Sequence, residues 1–484
     1  MLGAINICLG FTNNAACSVD LGVKTMQSQT QSRSLPSFRD YLELLDQHKE
    51  LRKVTDEVNA KFEISAIHMK VQAEKGPALQ FDNVKGFKIP VLVNLLATRR
   101  RLALALGLPA DIDSAALNTT ITERMKNAVK PEIVSGGPCK ETIIGASEVD
   151  LTSYPIVTMH EKDAGPYMTG AFIVARNPET GVQNISYHRL LLKGKNKLGI
   201  LMEPRHMWEF YKIADSRNEP LKIAIVLGYH PLVGIAASTG LPMGSDEYTL
   251  AGSLGARPVK LVKAEESDLL VPADAEMVME GVILPKVREI EAPYGEYTGY
   301  YGTVGMRPVV EIRKITQRKN PIYYSITAKS SEMGYYFLAK TLRTLEQIQA
   351  AVPSVKAANF LQTFVYVVCL KKLREGEARK AMLAAITAND SIKICIAVDH
   401  DINPRNSDEV LWAIATRCDP AQGTFVIPNT YGQGLDPSAH GEDENRVWSL
   451  LCIDATRSLT KPFAERTYMP TIKDVERMKR EGLL

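Results

Sequence analysis

Glu291-Ala292-Pro293-Tyr294-Gly295-Glu296-Tyr297-Thr298-Gly299-Tyr300 decides the reading of this chain. Two carboxylates stand five residues apart around a proline and a glycine. Proline fixes one backbone angle and glycine permits unusual ones, so the segment is expected to be a turn. A turn can aim both carboxylates at one point. Two acids in one site acquire different proton affinities, which is what proton transfer requires. Taken alone, the same pattern also fits a surface loop with two solvated glutamates, so the surrounding chain has to decide.

Around the turn, between residues 140 and 325, short β-branched runs recur between Gly, Pro, Asn and Asp: 170–175, 183–192, 222–228, 259–262, 309–316 and 322–326. Gly194-Lys195-Asn196-Lys197 has the composition of a hairpin turn. This spacing predicts an antiparallel barrel or sandwich. Gly194-Lys195 lacks the spacing and the following helix of a phosphate loop. Toward the N-terminus, Ser37 can cap a helix with Asp40 three residues on, which places Phe38, Leu42 and Leu45 on one face. Glu63–Ala73 reads as a second helix stopped by Gly76-Pro77, with strands over Ala78–Phe81 and 89–95. Toward the C-terminus, residues 333–351 predict one long helix with Leu338, Leu342, Leu345 and Ile348 as its apolar stripe and Pro353 as its stop. Strand 364–370, helix Glu377–Ala388, strand 392–398, helix Ser407–Arg417 and strand 424–427 then alternate as in a small α/β domain. Residues 471–484 read as a charged terminal helix.

Composition narrows the class. The chain has 484 residues, 45% hydrophobic and 23% charged, an ordinary globular balance for two to four domains. Net charge is +3, and the densest basic cluster, Arg99-Arg100-Arg101, runs straight into Leu102-Ala103-Leu104, so it reads as a helix start and no nucleic-acid partner is expected. The seven cysteines (8, 17, 139, 369, 395, 418 and 452) form no C-x-x-C pair. They read as small buried hydrophobes of a reducing, cytoplasmic compartment. No apolar stretch reaches the ~20 residues of a membrane span. Residues 1–33 differ in composition and are expected to be a disordered leader, with Met26 as an alternative start. A lipoprotein signal ending at Cys17 is the weaker alternative.

In this setting the motif E-x-P-[YF]-G-E-x-x-G resembles that of the UbiD-type (de)carboxylases, which use prenylated FMN and include 3-octaprenyl-4-hydroxybenzoate, ferulate and hydroxybenzoate decarboxylases. The similarity runs from about Leu35 to the C-terminus and includes 35–58, 76–95, Asp163-Ala164-Gly165-Pro166-Tyr167, 184–189 and 408–420. It implies an N-terminal α/β region over 34–125 and a central split β-barrel flavin-binding domain over 126–330. A connecting helix over 331–353 and a C-terminal α/β oligomerisation domain over 354–484 would follow.

The resemblance also implies residue roles. Arg189, Glu291 and Glu296 match the catalytic arginine and two glutamates. Glu296 would protonate the carbon left by carbon dioxide, and Glu291 would pair with Arg189. A guanidinium can hold a carboxylate by paired hydrogen bonds. The electron pair left behind needs a cofactor as its sink, and in the family the prenylated flavin bonds covalently to the substrate. Asn184, His206 and Glu247 match the ligands of a divalent metal on the flavin phosphate, Mn2+ or Mg2+, with K+ beside it. Ser186, Tyr187, His188, Arg205 and Arg417 belong to the implied cofactor neighbourhood, as does Asp454. The pocket wall would include His188, Tyr297, Tyr336, Phe337 and Leu435.

Three points depart from a simple carry-over. Strand alternation puts Asn184 and Arg189 on opposite faces, so a bulge or bend is required between them. The lysine that some members carry just before the strand at Ile392 is replaced by Ala388-Asn389-Asp390-Ser391. His188 is either a substrate contact or a neutral strand residue. The function expected is reversible non-oxidative decarboxylation of an aromatic, heteroaromatic or α,β-unsaturated carboxylic acid through a covalent adduct with prenylated FMN. The alternative is a non-catalytic flavin carrier or a structural subunit of a carboxylase complex, although a carrier needs neither Arg189 nor the glutamates. The partners expected are the acid and CO2, a flavin prenyltransferase as cofactor supplier, and further copies of the chain in a homodimer or homohexamer.

Overall fold

The structure, a computed structural model, describes residues 34–441, 446–470 and 472–482. The expected leader, 1–33, lies outside the described residues. Among these, no helix is long and apolar enough to cross a membrane.

The centre is a nine-stranded sheet in which every pairing is antiparallel. Its order runs Tyr167–Met168, Leu190–Leu192, Lys197–Ile200, Gly305–Gln317, Met277–Glu291, Leu221–Leu227, Phe172–Arg176, Gln183–Tyr187, with Thr142–Ile144 added beside Gly305–Gln317. Chain order gives this sheet its shape. Strand Gln183–Tyr187 is the last in the order, yet only His188 and Arg189 separate it from Leu190–Leu192, the second strand from the other end. A two-residue link cannot cross a flat sheet of this width, so the sheet must curl until its ends meet. No ladder joins those ends, and an open seam remains. The result is a curled half-barrel within a mixed α/β fold, and the predicted hairpin at Gly194 is present between Leu190–Leu192 and Lys197–Ile200.

Both faces of the sheet are buried. Phe172, Val174, Ala224 and Val226 pack toward helices Pro231–Ala237 and Glu247–Gly255. Their neighbours Ile173, Ala175, Ile223 and Ile225 pack with Met207, Phe210 and Tyr211 of helix His206–Ser216. Alternation therefore splits each strand between two cores, and the strands read as continuous apolar runs. Those three helices had no forecast, nor did the long strand Met277–Glu291.

At the N-terminus, the Ser37–Asp40 capping box starts helix Phe38–Gln47, and helix Glu63–Ala73 has the expected bounds. The sheet there is completed by Tyr323–Tyr324 from the central stretch. Arg99–Ala105 is a helix capped by Thr98, as the basic cluster predicted. The expected single helix over 333–351 is instead two, Glu332–Tyr336 and Leu338–Ala351, broken at Phe337. The C-terminal five-stranded sheet contains the forecast strands and two that were not, Val355–Gln362 and Val447–Ala455. Cys139, Cys369, Cys395 and Cys452 are buried and unbridged, as expected of small hydrophobes.

Candidate active site

The two longest strands carry the motif. Their pairing ends at Glu291 opposite Gly305, and the loop between them folds back on itself. Gly302 N–H donates to Tyr294 O and Glu296 N–H to Tyr300 O, both at 2.9 Å. The loop 159–167 clamps this turn. Asp163 accepts from the backbone N–H of His160 and of Gly295, each at 2.8 Å, and Ala164 N–H donates to Pro293 O at 2.8 Å. Gly295 has to be glycine here, because a Cβ would stand 2.3 Å from the His160 ring.

Arg189 reaches this turn from the seam. Its Nε donates to Glu291 Oε1 at 3.0 Å and its Nη2 to Glu291 Oε2 at 2.7 Å, a two-pronged bond. Its Nη1 pairs with Glu296. The three side chains are 7%, 0% and 9% exposed. Arg189 also lies over the Tyr294 ring, 5.1 Å from its centroid, and Gly302 leaves room for its Nη1. A guanidinium has five N–H donors, so two remain for another acceptor. The predicted turn thus gathers both glutamates on one cation, with Glu291 closing the strand.

The bend required between Asn184 and Arg189 is the strand break at His188 and Arg189, and both faces of the alternation turn toward one cavity. That cavity has a volume of about 790 Å3. Asn184, Ser186, Tyr187, His188, Arg189, Arg205, His206 and Glu247 line it, and so do Tyr297, Tyr336, Phe337 and Leu435. Glu291 lies behind Arg189 and does not line it. His188 falls in the strand break, outside both flanking strands. It faces the cavity, and burial pushes its pKa down to about 4, so the ring is neutral while bonded to Ser186 Oγ at 2.9 Å and Leu201 O at 3.1 Å.

At the other end, Asn184 Nδ2 lies 2.6 Å from Glu247 Oε1 and 3.4 Å from His206 Nδ1. His206 and Glu247 each open a helix. Burial pushes the Glu247 carboxyl up to about 7 and keeps the His206 imidazole below its usual range. Asn184 Oδ1 is buried without a partner. Turning the amide over would place that oxygen, one imidazole nitrogen and one carboxylate around a single point, a donor set that suits Mn2+ or Mg2+. The residues present therefore fit a cation at this end. Among the described residues, no group of three or more His, Cys, Asp and Glu could hold a metal.

Two residues of the expected cofactor neighbourhood do not line the cavity. Arg417 does not line the cavity; its guanidinium is buried against Asp399 and Asp401, at 2.8 Å from each. Asp454 is likewise absent from the lining, with Oδ1 turned to Thr456. Arg417 is paired through both Nη1 and Nη2, while its buried Nε has no partner. Sequence reasoning also missed Lys340. It projects from helix Leu338–Ala351 into the cavity and meets Asp390 at 3.2 Å, while Arg205 meets the same carboxylate at 2.8 Å. A lysine on a helix gives no signal of the loop that it faces across the fold.

Comparison with known proteins follows the same division. The description 3-octaprenyl-4-hydroxybenzoate carboxy-lyase N-terminal domain matches residues 42–120, its Rift-related domain matches 132–330 and its C-terminal domain matches 336–455. Together these carry the name UbiD. The chain is 35% identical to the anhydromevalonate phosphate decarboxylase of Methanosarcina mazei, over 90% of this chain and 99% of that one. It is 32% identical to a phenolic acid decarboxylase of Escherichia coli O157:H7, over 87% and 91%. Among solved structures, the UbiD-class enzyme HmfF from Pelotomaculum thermopropionicum in complex with FMN superposes with a TM-score of 0.82 at 38% identity, covering 93% of this chain and all of that one. An evolved dimeric form of HmfF in complex with prFMN superposes at 0.79.

Proposed function

The chain belongs to the UbiD family of carboxy-lyases, and from that premise we propose that it decarboxylates an aromatic, heteroaromatic or α,β-unsaturated carboxylic acid, reversibly and without net oxidation, with prenylated FMN as its cofactor. The observation that carries the reading is Arg189 held between Glu291 and Glu296 at one end of a cavity whose other end gathers Asn184, His206 and Glu247.

When bound, the prenylated flavin would supply the sink for the electron pair left as carbon dioxide departs. Asn184, His206 and Glu247 would hold a divalent cation against its phosphate, and Arg205 and Lys340 add positive charge at the same cavity. Arg189 orients the substrate carboxylate with its two remaining N–H donors. Glu291, bonded twice to Arg189, fixes the plane of the guanidinium. Glu296 reaches both Arg189 and the cavity, so it can carry a proton to the carbon that lost its carboxylate. In the carboxylation direction the same carboxylate takes that proton. His188, neutral and tied to Ser186 and Leu201, shapes the wall without adding charge. Tyr297, Phe337 and Leu435 offer apolar surface for a flat ring. Assembly as a homodimer or homohexamer is part of the proposal, and light scattering tests it.

The experiment is expression with a prenylated-FMN-making partner, followed by a screen of aromatic, heteroaromatic and α,β-unsaturated acids for carbon dioxide release. Activity is expected only in protein carrying the modified flavin. Sustained turnover by flavin-free protein would end the proposal.

A further inference from the structure

Behind the cavity wall lies a buried hydroxyl cluster, Tyr187, Tyr229, Tyr324 and Tyr336, with Glu332 at its inner end. None of these groups has a part in the chemistry above. Tyr187 and Tyr336 line the cavity, their rings 5.8 Å apart, and the Tyr187 hydroxyl and the Tyr336 ring edge both press against Gly234. Tyr324 and Glu332 are fully buried.

The hydrogen bonds can be assigned a direction by counting protons. Glu332 Oε1 accepts from Leu96 N–H at 2.9 Å, so it is an acceptor already, and it also takes the Tyr324 hydroxyl at 2.9 Å. Burial raises this carboxyl's pKa, and its Oε2 has no hydrogen-bond partner. With its own proton spent, Tyr324 can only accept in its 2.7 Å contact with Tyr336. Tyr336 must therefore donate inward. On the other branch, Tyr229 gives its proton to Gly170 O at 2.8 Å, so in the short Tyr187–Tyr229 contact Tyr187 must donate inward as well. All four protons are used, so neither Tyr187 nor Tyr336 keeps one for the cavity, and their hydroxyls retain only lone pairs.

We propose that Glu332 and Tyr324 are positioning residues that fix Tyr336 as a hydrogen-bond acceptor toward the cavity, that Tyr229 does the same for Tyr187, and that this wall selects a bound group carrying an O–H or N–H donor. A hydroxyl on the substrate ring and the ring N–H of the flavin both have this chemistry. A site built to accept a donor rejects the analogue without it more strongly than an apolar wall would, because a buried acceptor is left unpaired. The substrate source rests on the decarboxylase reading; the flavin source does not.

Two pairs of probes separate the sources. FMN and 3-methyl-FMN are compared by quenching of flavin fluorescence on flavin-free protein. Phenol and anisole are compared by calorimetry on FMN-loaded protein. Wild type should favour the donor-bearing member of at least one pair by about tenfold or more. Tyr324→Phe keeps the ring and removes the acceptor of the Tyr336 proton, which then turns toward the cavity. In that variant the preference should collapse toward one, or invert, with the melting temperature close to wild type. A purely structural role would weaken both members of a pair equally. Tyr336→Phe, which deletes one of the two wall acceptors, should weaken the preference too and serves if Tyr324→Phe does not fold. A shift in the flavin pair alone assigns the acceptor to the cofactor, and a shift in the phenol pair assigns it to the substrate. Ratios near one in wild type for both pairs, or ratios unchanged in the variants, overturn the proposal. No arm requires turnover, so failure of the decarboxylase reading is seen separately in the acid screen.

Discussion

Glu296→Gln tests the acid assignment most directly, and the geometry sets its magnitudes. Glu296 makes one contact with Arg189, through Nη1, and is 9% exposed, whereas Glu291 makes two contacts and is fully buried. In the variant the fork to Glu291 still holds Arg189, and the glutamine oxygen can accept from Nη1. The stability lost is the difference between a charged and a neutral hydrogen bond, about 1–2 kcal/mol, a melting-point drop of a few degrees at most. Activity should fall much further, by at least ~100-fold, the usual worth of a positioned general acid. That is about 2.7 kcal/mol in barrier, and flavin retention should not change because Glu296 is remote from Asn184, His206 and Glu247 in the hydrogen-bond network. Carbon dioxide release is measured on flavin-loaded protein, and deuterium incorporation at the vacated carbon is followed in deuterated water. Wild type should exchange and the variant should not. A variant that exchanges and turns over near the wild-type rate would refute the reasoning and move the role to Glu291 or His188.

Three further outcomes follow from particular contacts. His206→Ala should loosen FMN by at least the roughly tenfold typical of metal-site support, seen as faster flavin loss on dilution, and a chelator should reproduce the effect in wild type. Asp163→Ala removes the acceptor for the His160 and Gly295 amides; kcat should fall while FMN affinity stays within a few-fold, with about 1–3 kcal/mol of stability lost in denaturant unfolding. His68 is buried against Thr327 and Asn94, and burial pushes its pKa down to about 4. The unfolded chain binds that proton first, so this histidine costs stability as pH falls from about 6.5 toward 4. The stability gap between wild type and His68→Gln should therefore shift in the variant's favour by about 2 kcal/mol between pH 7 and pH 5, and an unchanged gap would show that the ring is solvated.

How much was legible in the sequence depended on where the signal was stored. Local signals held. The Ser37 capping box, the helices Glu63–Ala73, Glu377–Ala388 and Ser407–Arg417, and the Pro/Gly turn all have their causes within a few residues. Helices His206–Ser216 and Glu247–Gly255 were not seen, because one is dense in aromatic residues and the other, buried almost all round, mixes Glu, Thr and Ser with its apolar residues and shows no stripe. Met277–Glu291 was passed over because its first half, through Ile283, is buried on both faces and lacks alternation. Within the site, the need for a bulge or bend between Asn184 and Arg189 was deduced from alternation, whereas the Asn184, His206 and Glu247 set and the link of Arg189 to the glutamates came only through resemblance. Their separations of 22, 63, 102 and 107 residues carry no periodic signal. Arg417, which also came through resemblance, lies outside the cavity lining and pairs with Asp399 and Asp401.

The open seam gives one reason why these groups converge where they do. A closed antiparallel barrel would pair the edge strand Gln183–Tyr187 with its neighbour across the gap, and its side chains would alternate strictly in and out. Left unpaired, the strand can break at His188 and Arg189, and one short run of backbone then presents Asn184 beside His206 and Glu247 and Arg189 beside the motif glutamates. Five residues of extended chain span about 16 Å, less where the chain bends. The spacing between the two ends of the cavity is therefore set by covalent geometry, which thermal motion of the surrounding helices alters little. The glutamates arrive on a separate element, the loop between the two longest strands, and meet Arg189 through the most buried ion pairs of the cavity. The edge strand thus holds the distance fixed, while the loop, braced by Asp163, brings Glu296 to Arg189.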